Sequence, residues 1–256
     1  MLSRSERKIL HALRRRKIRE SEHLFLAEGV RVVEALLAAG LDLRFGVAAP
    51  SLEDTERGRA LAAGLEASGT LRRVGEGELA ALAATESPQG VLVVAAIPSV
   101  ELNDLVPREE AVVVVLDGVQ DPGNFGTVVR AADAFDALFV AALPGTVDPW
   151  NPKAVRAAAG SSFHVPLLQV GIGGLVAWLR DHRFSIQGAD AAGTPIEELP
   201  RPARVALVLG NEGAGIGAEV RAALDALVGV PIRGGAESLN VGVAAGILLY
   251  VLSRSR

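Results

Sequence analysis

Three segments of the chain combine glycines with asparagine, serine and charged side chains that can take part in chemistry. They are Leu116–Gly126, which leads into a helix carrying Arg130, then Val208–Gly217, and finally Val230–Asn240. Each follows a predicted strand, and loops at the carboxyl ends of strands are where open α/β sheets bind ligands. Four glycines among residues 210–217 allow the main chain to approach a ligand closely. The pattern predicts one binding site built from all three segments.

Several of these polar residues also have ordinary structural explanations. Asn124 suits an N-cap at the start of its helix, and Ser238 and Asn240 suit the cap of the apolar helix that follows. Arg130 has Asp133 three residues further on, and such a pair contributes about 0.2–0.5 kcal/mol. At this point both the structural and the chemical interpretation stand.

Whole classes of site are excluded by what the sequence lacks. The chain has no cysteine, which excludes disulfides, thiolate metal sites and cysteine nucleophiles. It has no phosphate loop, no H-E-x-x-H and no G-x-S-x-G motif, and its four histidines lack metal-ligand spacing, so we predict no metal. A nucleotide-dependent oxidoreductase is disfavoured because the early predicted strands lack a G-x-G-x-x-G loop.

Composition and charge narrow the class of protein further. Half of the residues are hydrophobic, which is typical of a folded chain. The apolar stretch Val241–Leu252 is about half the length that spans a bilayer, and no signal-peptide core is present, so we predict a cytoplasmic protein without membrane contact. The formal net charge is −4. Residues 1–20 nevertheless carry eight basic and two acidic side chains, which suits either an anionic partner or a solvated helix face.

The elements that must position these residues indicate an α/β protein of two domains. Residues 1–97 predict a small α/β domain with a basic helix at residues 3–19, and residues 98–110 predict a linker. From residue 111 the apolar run Ala111–Leu116 is typical of a parallel strand buried on both faces. Further strands, one of them at Phe163–Pro166, alternate with helices, which predicts a second domain at residues 111–256 with a helix-covered parallel sheet.

Together the three segments resemble the signature motifs of the SpoU/TrmH family of RNA ribose 2′-O-methyltransferases, in the SPOUT superfamily. The pattern D-P-x-N-x-G-x-x-x-R-x-A extends from Asp121 to Ala132. Leu209–Gly217 corresponds to the second motif, and Pro231–Tyr250, with its Ser-Leu-Asn-Val core, corresponds to the third.

The resemblance continues outside these motifs. Residues 153–166 are similar to the segment that the family carries between its first two motifs, and residues 25–29 and 87–91 match a substrate-binding domain often found upstream. Three positions depart from the usual residues, with glycine or alanine where serine or another polar residue is common: Ala158, Gly217 and Gly242.

The resemblance implies a fold, a cofactor and an assembly. We expect a C-terminal SPOUT-type parallel sheet with a deep trefoil knot, S-adenosylmethionine held by the knot loops, and a homodimer formed through the C-terminal domain and its apolar helix. The cofactor-binding residues that it implies are Leu209, Gly210, Glu212, Ile232, Ser238 and Leu239.

The resemblance also implies a catalytic set, namely Arg130, Asn124, Glu212, Ser238 and Asn240, in which the last four orient Arg130 and the acceptor nucleotide. The family's arginine is usually assigned as the base, yet a guanidinium stays protonated and has no acceptor. Two roles for Arg130 therefore stay open, as a base or as a group that binds the adjacent phosphate and polarises the hydroxyl.

The expected substrate is RNA, with 23S ribosomal RNA favoured by the additional N-terminal domain. A transfer RNA, a resistance methylase that protects the ribosome, and a non-catalytic RNA-binding or assembly factor are the alternatives. Arginine and lysine contacts to phosphate would dominate the RNA affinity. The residues expected to make such contacts are Arg4, Arg7, Arg14, Arg15, Arg16, Lys17, Arg19 and Arg156.

Overall fold

A computed structural model describes residues 2–254, which form two compact units. The first unit comprises residues 2–99 together with residues 150–163, and the second comprises residues 100–149 and 164–254. From the sequence, residues 150–163 are predicted to belong to the second domain. The structure places them in the first unit, where Trp150 and Phe163 lie against the buried Phe25, with ring centroids 4.7 and 5.8 Å away.

The first unit is built on a mixed four-stranded sheet in the order β1-β4-β2-β3, in which β4 runs antiparallel to β1 and β2. Its strands are β1 (Leu24–Glu28), β2 (Leu43–Ala48), β3 (Leu71–Arg73) and β4 (Val91–Ala96). Its helices are α1 (Arg4–Ala12), α2 (Arg16–Glu22), α3 (Val30–Ala38), α4 (Glu56–Ala67), α5 (Glu76–Leu82) and α7 (Pro152–Ala158), with 3₁₀ turns at Pro50–Asp54 and Ser161–Phe163.

The single basic helix predicted over residues 3–19 is wrong, because the chain turns between α1 and α2. Leu10 and Leu13 are fully buried, and the extended backbone of Arg15 separates the two helices. The guanidinium of Arg19, 2% exposed, donates to the Leu13 carbonyl oxygen at 2.6 Å. Basic side chains satisfy helix C-terminal carbonyls in this way, so the turn is stabilised by a residue that counted only as surface charge in the sequence.

The second unit is built on a six-stranded, all-parallel sheet in the order β10-β8-β9-β5-β6-β7. Its strands are β5 (Ala111–Asp117), β6 (Phe139–Ala142), β7 (Leu167–Gln169), β8 (Ser185–Pro195), β9 (Arg204–Gly210) and β10 (Ala226–Gly229). Its helices are α6 (Pro122–Ala134), α8 (Ile172–Asp181), α9 (Ala218–Arg221) and α10 (Val241–Ser253), with 3₁₀ turns at Leu102–Asp104 and Ile196–Glu198.

The apolar run that predicted a buried parallel strand is confirmed, since residues 111–116 of β5 are all buried. The strand predicted at Phe163–Pro166 is displaced: a 3₁₀ turn ends at Phe163, and β7 begins at Leu167. The apolar residues at 163–166, which predicted a strand, thus lie between the 3₁₀ turn and the start of β7. No helix among residues 2–254 is long and apolar enough to cross a membrane.

The sheet order brings the functional segments to one edge. The last residues of β5 and β9 are paired, with Leu116 opposite Leu209 and Asp117 opposite Gly210. From β5 the chain continues to β6 on one side, whereas β9 pairs with β5 on the other side. Where the direction of strand order changes in this way, a crevice forms beyond the carboxyl ends of the strands.

Candidate functional site

A chain of side-chain hydrogen bonds joins the three segments. Asn240 Nδ2 donates to Asn124 Oδ1 at 2.8 Å, and Asn124 Nδ2 donates to Glu212 Oε1 at 2.8 Å. The Asn124 side chain is available for these bonds because it does not cap α6, contrary to the structural interpretation. Asp121 is the N-cap instead, and its Oδ1 accepts from the Asn124 backbone amide at 2.8 Å. Asn240 does cap α10, as expected, through bonds from the Gly242 and Val243 amides.

The loop between β9 and α9 is held by two side chains that the sequence analysis did not single out. Asn211 Oδ1 accepts from the amides of Gly213 and Ala214 at 2.9 Å, while its Nδ2 donates to the Gly118 carbonyl at 2.8 Å. Asp117 Oδ2 accepts from the Gly217 amide at 2.7 Å. Asp117 ends β5 and Asn211 directly follows β9, so their positions at strand carboxyl ends could have indicated them from the sequence. They fix the loop before any ligand arrives.

The loop closes over a cavity of about 440 Å³ in the second unit. Buried Leu209, Val228 and Leu248 contribute apolar surface to it. The six residues that the resemblance named for the cofactor all line this same cavity: Leu209, Gly210, Glu212, Ile232, Ser238 and Leu239. Their assignment to a cofactor stays a prediction, but the fold brings them together from two separate segments of the chain.

Asp190 also lines this cavity and was missed from the sequence. It lies within β8 and not after it, so the rule about strand carboxyl ends does not indicate it. The Ala192 amide, at 3.0 Å, and the Arg221 guanidinium, at 2.8 Å, hold the pKa of the Asp190 carboxyl below its usual value. The cavity therefore has a carboxylate on its wall at neutral pH.

The main chain of residues 231–239 is available to a ligand. Among residues 2–254 no backbone hydrogen bond involves this stretch, which connects β10 to α10. Backbone donors and acceptors need partners from the protein, water or a ligand. The cavity therefore offers unpaired amide and carbonyl groups beside apolar side chains, a combination suited to a heterocycle attached to a polar sugar.

Arg130 lies apart from the hydrogen-bonded chain. It is exposed on α6 and, within the described residues, makes no hydrogen bond or ion pair. The alternative pair with Asp133 is not formed, since Asp133 contacts His164 Nδ1 at 3.2 Å instead. Within residues 2–254, none of Asn124, Glu212, Ser238 and Asn240, which were expected to orient Arg130, makes a hydrogen bond to it. Its guanidinium is free to bind an incoming anion.

The departure at Gly242 has a packing reason. A Cβ at this position would lie 2.7 Å from Thr127 Cγ2 and 2.9 Å from Thr127 Cβ, so α10 approaches α6 too closely for a side chain. We expect Gly242→Ser to lower the free energy of unfolding by about 1–3 kcal/mol through overpacking. Thr127→Ala removes the nearest atom and should recover part of that loss. A double-mutant cycle in denaturant measures the coupling, and purely additive effects would contradict the contact.

The basic residues of the first unit fall into three groups. Arg4, Arg15 and Lys17 are exposed and form no hydrogen bond or ion pair through their side chains among residues 2–254, whereas Arg7 and Arg16 form surface ion pairs with Glu78 and Glu20. Arg14 donates to carbonyl oxygens at the end of α5, at 2.7–3.4 Å. The buried Arg19 is not available to RNA, contrary to the sequence prediction. Among residues 2–254, no group of three or more potential ligands could hold a metal.

Comparison with known proteins follows the same division of the chain. Residues 111–250 match the model of the SpoU rRNA Methylase family, and residues 6–93 match an MRM3-like substrate binding domain. The 23S rRNA (guanosine(2553)-2′-O)-methyltransferase RlmP of Bacillus subtilis is 36% identical over 94% of this chain and 92% of its own length.

Solved structures show the same similarity. The SpoU methyltransferase AviRb from Streptomyces viridochromogenes, in complex with AdoMet, superposes with a TM-score of 0.88 at 27% identity, over 99% of this chain and 98% of its own. An AdoMet-bound rRNA methyltransferase from Sinorhizobium meliloti superposes with a TM-score of 0.85 at 30% identity, over 100% and 97% of the two chains. With a family model matching more than half of its residues, this chain belongs to the SpoU rRNA methylase family.

Proposed function

We propose that the protein transfers a methyl group from S-adenosylmethionine to the 2′-hydroxyl of a ribose in 23S ribosomal RNA. The observation that carries this proposal is the pair of hydrogen bonds that Asn124 makes with Glu212 and Asn240, two residues that line the cavity, because these bonds join the three motifs. Two proteins that this chain resembles over nearly its whole length, RlmP of Bacillus subtilis and the protein from Sinorhizobium meliloti, are named as a 23S rRNA 2′-O-methyltransferase and an rRNA methyltransferase, which supports the same substrate class.

The cavity fits the cofactor by size and by chemistry. Its volume of about 440 Å³ lies within the range of about 300–1,000 Å³ that is common for small-molecule sites. The free main-chain groups of residues 231–239 suit the adenine and ribose, with Leu209, Gly210, Ile232 and Leu239 supplying backbone contacts and Glu212 and Ser238 supplying polar side chains. When bound, S-adenosylmethionine supplies an electrophilic methyl group on a positively charged sulfur.

Arg130 is proposed to bind the phosphate next to the acceptor ribose and to polarise the 2′-hydroxyl. Since a guanidinium holds its proton at physiological pH, its charge stabilises negative charge on the 2′-oxygen, and the hydroxyl proton passes to water. Among residues 2–254 no side chain or carbonyl oxygen pairs with Arg130, so its donors are available to RNA. Asn124, Glu212, Ser238 and Asn240 are proposed to position the nucleotide, and such positioning supplies much of the acceleration in an in-line displacement.

The proposal includes the finer features that the resemblance implies. Residues 209–217 and 230–240 would form the loops of a deep trefoil knot around the cavity. A homodimer would use α10, where Val243, Ile247 and Tyr250 leave an exposed apolar stripe at helical spacing, 50%, 37% and 50% exposed. Such a stripe on a helix is typical of an interface. The small N-terminal α/β unit would bind RNA, and the enzyme would act in the cytoplasm, where ribosomal RNA is modified.

RNA contacts are proposed for the exposed basic residues of the first unit. The side chains of Arg4, Arg15 and Lys17 pair with no group in the described part of the chain. The surface ion pairs of Arg7 and Arg16 each contribute only about 0–1 kcal/mol, so RNA phosphates can replace them. The resulting affinity would depend strongly on salt and little on sequence.

The proposal is tested by mapping 2′-O-methylation across ribosomal RNA from cells with and without this gene, together with calorimetric titration of the purified protein with S-adenosylmethionine. We expect one 23S rRNA ribose to lose its methyl group in the deletion, and the purified protein to bind the cofactor. A change confined to transfer RNA would contradict the substrate. An unchanged methylation map and no cofactor binding would instead favour a non-catalytic RNA-binding factor.

A further inference from the structure

The first unit contains a second cavity, of about 230 Å³, that the proposed methyl transfer does not use. It lies where β1 passes into α3, and it is bounded by residues 85–89 and by the end of α7. Its volume is below the about 300–1,000 Å³ of typical drug-sized sites. It is therefore suited to a ligand of one ring or one sugar-phosphate unit.

The wall of this second cavity is fixed by hydrogen bonds within the protein. The carboxylate of Glu28, 4% exposed, accepts from the Ala84 amide at 2.9 Å and from the Thr85 hydroxyl. Gln89 Oε1 accepts from the Val30 amide, at 3.0 Å, at the start of α3. These bonds hold residues 84–89 against β1 and α3. The shape of the cavity therefore does not depend on a ligand to form it.

Two arginines line this cavity without protein partners. Arg31, on the first turn of α3, and Arg156, on α7, are both exposed, and neither forms a hydrogen bond or ion pair with any of residues 2–254. Other arginines of the unit are engaged, such as Arg57 with Glu34 and Arg73 with Glu53. Free guanidinium groups beside a preformed cavity indicate an anionic ligand that contains phosphate.

The cavity is also lined by a hydrogen-bond acceptor and a hydroxyl, which would not be required to bind an inorganic anion. Glu28 has used one acceptor position on each carboxylate oxygen, and a carboxylate has about four. The Ser87 hydroxyl lines the cavity as well, with no hydrogen-bond partner in the described chain. An acceptor and a hydroxyl next to two cations match a nucleotide, whose base carries N–H donors and whose backbone carries the phosphate.

We propose that this cavity receives one unstacked nucleotide of the RNA substrate, with its phosphate bound by Arg31 and Arg156 and a base N–H donated to Glu28. The proposal rests on the proposed function in taking RNA as the substrate. Specific RNA recognition relies on bases that leave the stack and enter protein pockets. The cavity then gives the first unit a means of selecting RNA, whereas the exposed basic residues of α1 and α2 supply only general attraction.

The test uses the full-length Arg31→Gln/Arg156→Gln double variant and an unmodified 23S rRNA transcript. We expect the Kd for RNA to rise about 10- to 100-fold, and the slope of log K against log salt to fall by about 1.4 for two lost phosphate contacts on a single strand. The Kd for S-adenosylmethionine should not change, because neither arginine lines the cavity of the second unit. The matched control is Arg44→Gln/Arg59→Gln, which removes the same charge from exposed positions of the unit that do not line the cavity.

A second variant separates cavity occupancy from charge. Ser87→Trp keeps both arginines and fills the cavity, so we expect RNA affinity to fall at least tenfold while the melting temperature and cofactor binding are retained. Wild-type RNA affinity in Ser87→Trp overturns the proposal. An equal loss of RNA affinity in the double variant and its charge-matched control also overturns it, because the effect would then be general electrostatics.

The same experiments distinguish a free anion from an RNA phosphate as the ligand of this cavity. They also distinguish failure of the nucleotide site from failure of the proposed methyl transfer. Binding of inorganic phosphate that is lost in the double variant, with RNA affinity unchanged, assigns the cavity to a free anion and overturns the RNA proposal. Normal methylation with unimpaired RNA binding by the double variant likewise overturns only the nucleotide site. Arginine-dependent RNA binding by a wild-type protein that methylates nothing supports the site and contradicts the proposed function.

Discussion

Arg130→Ala is expected to lower kcat for methyl transfer by about 10²–10³-fold, the cost typical of removing one preorganised charge-stabilising group. The Kd for S-adenosylmethionine should stay unchanged, because Arg130 does not line the large cavity. Single-turnover methylation of a 23S rRNA transcript measures the first quantity, and calorimetry measures the second.

Two further variants control this experiment. Arg130→Lys keeps the charge but loses the planar fork, so an intermediate rate is expected if the arginine binds phosphate through paired donors. Arg108→Ala removes another exposed arginine of the second unit, one that precedes β5 at the opposite edge of the sheet, and should leave turnover intact. Turnover by Arg130→Ala comparable to wild type would rule out the assigned role.

Gly210→Ala is expected to weaken S-adenosylmethionine binding by about 10- to 100-fold. A Cβ at Gly210 would meet the carbonyl carbon of Gly215 and lie 2.5 Å from the Ile216 amide nitrogen, so the bonds between Asn211 and Gly215 could not both close. Overpacking of this kind costs about 1–3 kcal/mol, and 1.4 kcal/mol is tenfold in affinity. Calorimetric titration gives the change directly.

Gly213→Ala is the matched control in the same loop. Its added Cβ would be in ordinary contact, 3.7 Å from Asn211 Oδ1, and this glycine does not have a positive φ. We expect its cofactor affinity to remain near wild type. Equal losses in Gly210→Ala and Gly213→Ala would show that glycine flexibility, and not close approach at residue 210, governs the site.

Much of the second unit follows from local sequence patterns. The apolar run of β5 and the regular alternation of strands and helices predicted a parallel sheet, and strand ends are marked by Asp117, Gly210 and the glycines that follow. Because parallel strands place their carboxyl ends at one edge, convergence of the motifs could be expected without coordinates. What patterns could not provide was the partner of each polar atom, such as the bonds of Asn124 to Glu212 and Asn240.

The first unit was harder to predict, because charge counts do not distinguish free arginines from engaged ones. Arg14 and Arg19 have the same type and neighbourhood in sequence as Arg15, yet both are bound to carbonyl oxygens. A guanidinium that satisfies a helix end is stabilising the fold, and only tertiary structure reveals it. Conversely, Arg31 and Arg156 lie far apart in the chain and come together at one cavity.

The return of residues 150–163 to the first unit determines when that unit can be completed during translation. Trp150 and Phe163 cover Phe25, and a Cβ at Gly160 would lie 2.5 Å from the Ala35 side chain, so this returning segment belongs to the core of the unit. The ribosome must therefore synthesise β5, α6 and β6 before the earlier unit is whole. Contacts of such long sequence separation slow folding. Neither unit can be excised by a single cut, and the two must mature on the same nascent chain.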